Sequence, residues 1–111
     1  MAVVLQVDFP YAGPWGEAMH AQMADLAVSI AGEPGLIWKI WTEQPDSNQA
    51  GGIYLFQDQA SAQAYLFQDQ ASAQAYLDMH RARLAGFGVP QVNAKLFQVN
   101  RPLSLIDRAP L

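Results

Sequence analysis

At 111 residues, with 51% hydrophobic and 14% charged residues, the chain is sized for one compact domain and is too apolar for disorder. A net charge of −4 with six basic residues argues against a nucleic-acid surface, and zero cysteines exclude a disulfide scaffold, a thiolate metal site and a Cys nucleophile. No apolar run approaches ~18 residues and no basic segment leads into an apolar one at the N-terminus, so the expectation is a soluble, cytoplasmic protein without a membrane partner.

Ala2–Phe9 alternates as a half-buried strand, with Val3, Leu5, Val7 and Phe9 on one face. After a turn at Tyr11–Pro14, with Pro14 suited to the first helical position, the period changes. Trp15, Met19, Met23, Leu26 and Ile30 form one apolar stripe on a helix of about four turns. Gly32 is suited to end it in a left-handed conformation, and Pro34 prevents its continuation. Leu36–Glu43 is rich in β-branched and aromatic residues and reads as a second strand. Its alternation puts Leu36, Trp38, Ile40 and Thr42 on one face, and Ile37, Lys39, Trp41 and Glu43 on the other. The polar loop Gln44–Gln49 leads into a third strand, Gly51–Phe56, making a hairpin. An Ala/Gln-rich helical stretch follows and ends near Leu84-Ala85, with Arg81 and Arg83 suited to its C-terminal dipole. Val92–Asn100 is a final strand, and the tail from Arg101 reads as an irregular arm over the surface.

The order β-α-β-β-α-β predicts an α+β, ferredoxin-like fold, an antiparallel four-stranded sheet with both helices on one face. Both sheet faces carry large apolar groups: Trp38 against Trp41, Leu55 against Phe56, Leu96 against Phe97. The uncovered face therefore needs a cover. A second subunit is the economical one, giving a homodimer that closes into a dimeric α+β barrel; the alternative is that the C-terminal arm lies over the face.

An exact tandem repeat interrupts this plan. YLFQDQASAQA occupies Tyr54–Ala64 and again Tyr65–Ala75, so removing one copy leaves 100 residues. Eleven residues at ~100° each give about 20° more than three turns, so helical phase is nearly kept. Ala62, Leu66, Ala73, Leu77 and Leu84 can share one stripe, which predicts a single domain, 1–111, whose second helix runs from about Asp58 to Leu84, lengthened by roughly 16 Å. In the alternative, the helix starts near Asp69 and the insert loops out. Asp58 and Asp69 can each serve as an N-cap. Gly51-Gly52-Ile53 precedes only the first copy, so Tyr54-Leu55-Phe56 is taken as strand. The repeat is too short and too perfect for a solenoid and reads as a recent or engineered event, or an artefact.

The blocks Glu33-Pro34-Gly35-Leu36-Ile37-Trp38-Lys39-Ile40-Trp41-Thr42-Glu43 and Ala50-Gly51-Gly52-Ile53-Tyr54-Leu55-Phe56 resemble the YdhR-like monooxygenase family. The resemblance continues through Ala75-Tyr76-Leu77, His80, Arg83-Leu84 and Val99–Ser104 and covers nearly the whole chain. It implies a dimeric α+β barrel and a distant similarity to cofactor-independent monooxygenases that oxidise aromatic polyketides to quinones. The duplication departs from the family pattern.

His80 falls beside the buried stripe of the second helix. It is either a packed histidine or a base that deprotonates a phenolic substrate, since an ordinary pKa near ~6.5 suits that task. Tyr54 is either a structural tyrosine at a sheet edge or a hydrogen-bond donor to a substrate carbonyl. Trp38 and Trp41 lie on opposite strand faces, so one alone can line a pocket between sheet and helices. Met19 and Met23 are core residues or a malleable pocket wall. Arg83 is a solvated helix-end charge or an oxyanion donor. His20 lies off the apolar stripe, exposed. The catalytic candidates are thus His80 and Tyr54, and the substrate-binding candidates Trp38, Trp41, Met19, Met23 and Arg83. No metal or cofactor is expected: no carboxylate pair, dinucleotide fingerprint, P-loop or GxSxG is present. The leading expectation is oxygenation of an aromatic or quinol-like molecule without a cofactor. The alternatives are a non-catalytic small-molecule-binding or stress-associated dimer, and, more weakly, a haem-degrading barrel, because related barrels pair a helix His with strand Trp and Asn.

Overall fold

The alternating apolar residues of the first strand are the centre of the fold. In the computed structural model, which describes residues 2–66 and 93–111, β1 (Val3–Pro10) buries Val3, Leu5 and Val7 while Gln6 faces solvent. β1 has antiparallel partners on both sides, β3 (Gln49–Phe56) and β4 (Asn93–Gln98), and β2 (Leu36–Gln44) pairs antiparallel with β3. The sheet order β2-β3-β1-β4 is that of the ferredoxin-like fold, as the element order predicts.

Helix α1 (Gly16–Ala31) carries the predicted stripe in part: Met19 and Ile30 are buried, whereas Leu26 is 51% exposed and Trp15 lies just before the helix. It begins one residue later than the stripe suggests, because Pro14 lies before the helix and Trp15 is its N-cap residue. Trp15 offers no capping side chain; instead a Glu43 carboxylate oxygen on β2 accepts from the Gly16 amide at 3.1 Å. A carboxylate there satisfies one free amide and complements the helix dipole. At the other end Gly32 is not left-handed (φ −89°); the left-handed position is Gly35 (φ +80°), in the turn into β2. That turn is closed by Leu36 N–H to Glu33 O and accepts Gln57 N–H on Gly35 O.

Residues 59–66 form the described part of helix α2. Asp58 starts it, accepting from the Ser61 amide at 2.7 Å, as an N-cap aspartate does. The predicted extension to Leu84 lies outside the described residues. Ala62 and Tyr65 of α2 and Ile30 of α1 join Val3, Leu5, Val7, Tyr54 and Phe56 in one buried cluster, so both helices lie on the same sheet face.

Two sequence expectations fail on β2 and at the C-terminus. The register shifts between Leu36 and Trp38, so Leu36 pairs with Phe56 and Trp38 with Leu55. This bulge, centred on Ile37, turns Leu36 to the helix side, where it packs on the core, while Trp38 stays on the opposite face. The tail is also not irregular throughout. Asn100 caps a short helix, α3 (Arg101–Ile106), by accepting from Leu103 N–H at 3.2 Å. The chain then returns until Pro110 O accepts the Trp38 indole N–H at 2.8 Å. Since β4 and β2 are opposite edges, residues 101–110 cross the whole width of the sheet. Leu55, beside Trp38 on that face, is fully buried, but Ile40 (51% exposed) and Phe97 (48%) are not. The arm covers one end of the second face and leaves the rest open.

A cavity between the sheet and the helices

Side chains on the helix side of β1, β2 and β3 converge with α1 on a partly open cavity of about 140 Å³. Its walls include Val7, Phe9 and Tyr11 from the first strand and its exit, Met19 and Met23 from α1, Trp41 and Lys39 from β2, and Tyr54 and Tyr65. The alternation of β2 places Lys39 and Trp41 here together, and the pairs Lys39–Tyr54 and Trp41–Gly52 set their depth in the sheet. Gly52 leaves the space the lysine uses: a Cβ there would lie 2.7 Å from Lys39 Cε. With that space open, the Lys39 ammonium rests 3.5 Å from the Trp41 ring centroid and 4.6 Å from that of Tyr54. Both distances are within cation–π range.

The polar groups of the cavity are few. Tyr54 and Tyr65 hydroxyls hydrogen-bond to each other at 3.1 Å in a buried setting, and their rings, with Phe56, stack into the core. Tyr11 is held by its backbone amide on Asn48 O (2.8 Å) and by edge-on contacts to Phe9 and Trp15. Its hydroxyl is buried and has no hydrogen-bond partner. Lys39 is the one charged residue among the described cavity-lining residues.

Between α1 and β2 a second concavity, about 280 Å³, is lined by Gly16, His20, Ala24, Ala27 and Glu43, and shares Met19, Met23 and Trp41 with the first. These three flexible or large side chains form the wall between groove and cavity. A more voluminous concavity, about 810 Å³, lies away from this chemistry, around Ala2, Val99, Asn100 and Leu111.

Of the residues singled out from sequence, Trp41, Met19, Met23 and Tyr54 line the cavity together. Trp38 does not, being on the opposite face and bonded to Pro110. Tyr54 sits on an interior strand, not at a sheet edge. His80 and Arg83 lie outside the described residues. His20 is exposed (76%), 3.8 Å from Glu17, and lines the groove between α1 and β2. Lys39, Tyr11 and Tyr65 were not anticipated at the cavity. The signal for Lys39 was present, a lysine sharing a strand face with Trp41 opposite a Gly-Gly pair. Among the described residues no cluster of His, Cys, Asp or Glu could hold a metal ion, and no helix is long and apolar enough to cross a membrane.

Comparison with known proteins places this geometry. The sequence pattern of the family described as "Putative mono-oxygenase ydhR" matches residues 4–66 and again 63–110. The two matches overlap inside the duplicated segment, where the family pattern is interrupted. No curated protein matches the chain. Among solved structures, SnoaB from Streptomyces nogalater, described as a cofactor-independent oxygenase, superposes with a TM-score of 0.51 at 18% identity, covering 89% of this chain and 93% of its own. A single-residue variant of SnoaB gives the same TM-score and coverage at 20% identity. The NE2512 protein of unknown function from Nitrosomonas europaea is 22% identical, with 89% and 92% coverage and a TM-score of 0.51. At these identities the likeness is one of fold.

Proposed function

The chain belongs to the YdhR mono-oxygenase family, and from that premise we propose that it oxygenates an aromatic or quinol-like small molecule, without a cofactor, in the cavity between sheet and helices. The observation that carries the reading is the cavity itself: apolar and aromatic walls with a few convergent polar groups. In this reaction the substrate supplies all the electrons. A hydroquinone and dioxygen give a hydroxyquinone and water, one oxygen atom entering the ring and the other leaving as water. The protein must generate the electron-rich substrate anion, exclude bulk water and stabilise the oxyanion that develops. His80 is assigned as the base that takes the phenolic proton and Tyr54 as a hydrogen-bond donor to the substrate oxygen, with Trp41, Met19 and Met23 as the binding walls.

The 111 residues act as one domain in this proposal, in the cytoplasm, as a homodimer. Ile40 and Phe97, left exposed beside the C-terminal arm, support a second copy as cover for the open sheet face. Sedimentation should then show a dimer that Ile40→Lys weakens.

Oxygen uptake with a panel of hydroquinones under isotopically heavy dioxygen tests the chemistry. One labelled atom per product, lost in His80→Ala and reduced in Tyr54→Phe, is expected. Tight binding with no uptake across the panel would leave a non-catalytic binding protein.

A further inference from the structure

The cavity is too small to be the whole of a small-molecule site. At about 140 Å³ it is close to the ~150 Å³ of an apolar cavity that takes one benzene ring, and well below the roughly 300–1,000 Å³ usual for ligand sites. Three fused rings do not fit it. The groove between α1 and β2 supplies the missing space, with about 280 Å³ and a wall of Met19, Met23 and Trp41 shared with the cavity. Methionine is unbranched and turns about three bonds, so this partition can yield to a ligand that passes across it. Beyond the partition the groove follows one face of α1, where Gly16, Met19, Met23 and Ala27 recur at spacings of three and four residues. From Gly16 to Ala27 the helix rises about 16 Å, so the groove is elongated.

The two spaces differ in what they offer. In the cavity the Tyr11 hydroxyl is buried and without a hydrogen-bond partner, although its ring and backbone are fixed. Leaving it so costs stability that a ligand oxygen restores. In the groove, Glu43 is directed to the Gly16 amide at 3.1 Å, and the exposed His20 lies 3.8 Å from Glu17. What remains for a ligand there is methyl, thioether and indole surface. We propose that the site takes a single aromatic ring carrying a linear apolar chain, the ring oxygen meeting the Tyr11 hydroxyl in the cavity and the chain lying along α1 in the groove. The inference rests on the reading of the cavity as the small-molecule site and adds the substrate class: alkylated monocyclic phenols and hydroquinones in preference to fused polycyclic ones.

The test is calorimetric binding of para-ethylphenol, para-butylphenol and para-hexylphenol to the whole protein, with phenanthrol as a fused-ring phenol. Each added methylene should tighten binding about two- to threefold, less than the roughly fourfold of complete burial because the groove is open to solvent. Phenanthrol should bind at least about tenfold more weakly than para-hexylphenol. Ala27→Phe sets a ring in the groove and should flatten the series to the affinity of para-ethylphenol. Tyr11→Phe should weaken every member several-fold and keep the dependence on chain length, without lowering the melting temperature, because its hydroxyl has no partner to lose. A series without chain-length dependence, a dependence that survives Ala27→Phe, or phenanthrol binding as tight as para-hexylphenol overturns the proposal. So does a Tyr11→Phe variant that binds as the wild type does, or a protein that binds none of the probes. If Ala27→Phe fails to fold, Ala24→Leu, a smaller obstruction in the same groove, takes its place. Oxygen uptake is followed separately. A chain-length series in a protein that consumes no oxygen keeps the groove and removes the oxygenase reading, whereas uptake with hydroquinones that is indifferent to chain length does the reverse.

Discussion

The Tyr54 and Tyr65 hydroxyls meet at 3.1 Å, and the two residues are the same position in the two copies of the repeat. One Tyr-Leu pair is strand and the other, 11 residues later, is helix. The local sequence is identical through 11 residues, so what separates the two conformations is what precedes each copy. Gly51-Gly52-Ile53 feeds the first into the sheet; Ala/Gln-rich helix feeds the second. A buried hydroxyl pair should show coupling. In urea unfolding, Tyr54→Phe and Tyr65→Phe should each cost about 1 kcal/mol, and the double variant should cost less than their sum, because both substitutions remove the same bond. Strict additivity would mean that the bond is absent in solution.

The adjacent glycines should differ in tolerance. A Cβ at Gly51 would overlap the Val7 carbonyl of β1, which cannot move without disturbing the strand pairing. At Gly52 the obstacle is the far end of the Lys39 side chain, which can swing away. Gly51→Ala should therefore destabilise by about 1–3 kcal/mol or more. Gly52→Ala should be much milder and instead displace the ammonium from the Trp41 ring. Comparable losses of thermal stability in the two variants would contradict this.

These positions also show what the sequence could and could not disclose. Strand order, the α1 stripe and the Asp58 cap follow from period and capping chemistry, which are local. The bulge at Ile37 is not local: it follows from how β2 meets β3, and it moves Leu36 to the face opposite that of Trp38. Trp41 could be placed at a pocket only as one of two alternatives, because alternation separates faces without saying which one the helices cover. Lys39 could be assigned only to the same face as Trp41, because the space it occupies depends on the missing side chain at Gly52 of the neighbouring strand. The helix after Asn100 was hidden by its brevity and by Pro102, a residue that also suits the first turn of a helix.

Asp58 gives the fold an acid-sensitive point. Hydrogen bonds from the Ser61 amide, then from its hydroxyl, hold the carboxyl below its ordinary value of 3.8. Because the folded value is the lower one, the cap's contribution is complete above the unfolded-chain value and is lost as pH falls through the folded value. The gap in melting temperature between wild type and Asp58→Ala should therefore be constant near neutrality and narrow below about pH 4. A gap that widens in acid would reverse the assignment.

Trp38 anchors the end of the chain rather than the cavity. Trp38→Phe keeps the ring but removes the donor to Pro110, so the C-terminal arm should loosen first. Limited proteolysis or amide exchange of residues 101–111 should accelerate several-fold, with a cost in global stability of about 1 kcal/mol. Oxygen uptake with hydroquinones should not change, because Trp38 lies on the other sheet face.

Deleting one copy of the repeat is the sharpest test of how the duplication is accommodated. Without residues 65–75, Tyr76-Leu77 follow Ala64 directly, so the same Tyr-Leu pair enters α2 at the place Tyr65-Leu66 holds now. The cap at Asp58 and the buried Ala62 lie upstream and are untouched. The 100-residue chain should therefore fold with unchanged or higher thermal stability. Tyr76→Phe in that background should reproduce the loss caused by Tyr65→Phe in the full chain, about 1 kcal/mol, and couple to Tyr54→Phe in the same way. A shortened chain that does not fold, or in which Tyr76→Phe is silent, would mean that the second copy contributes structure that the first cannot replace.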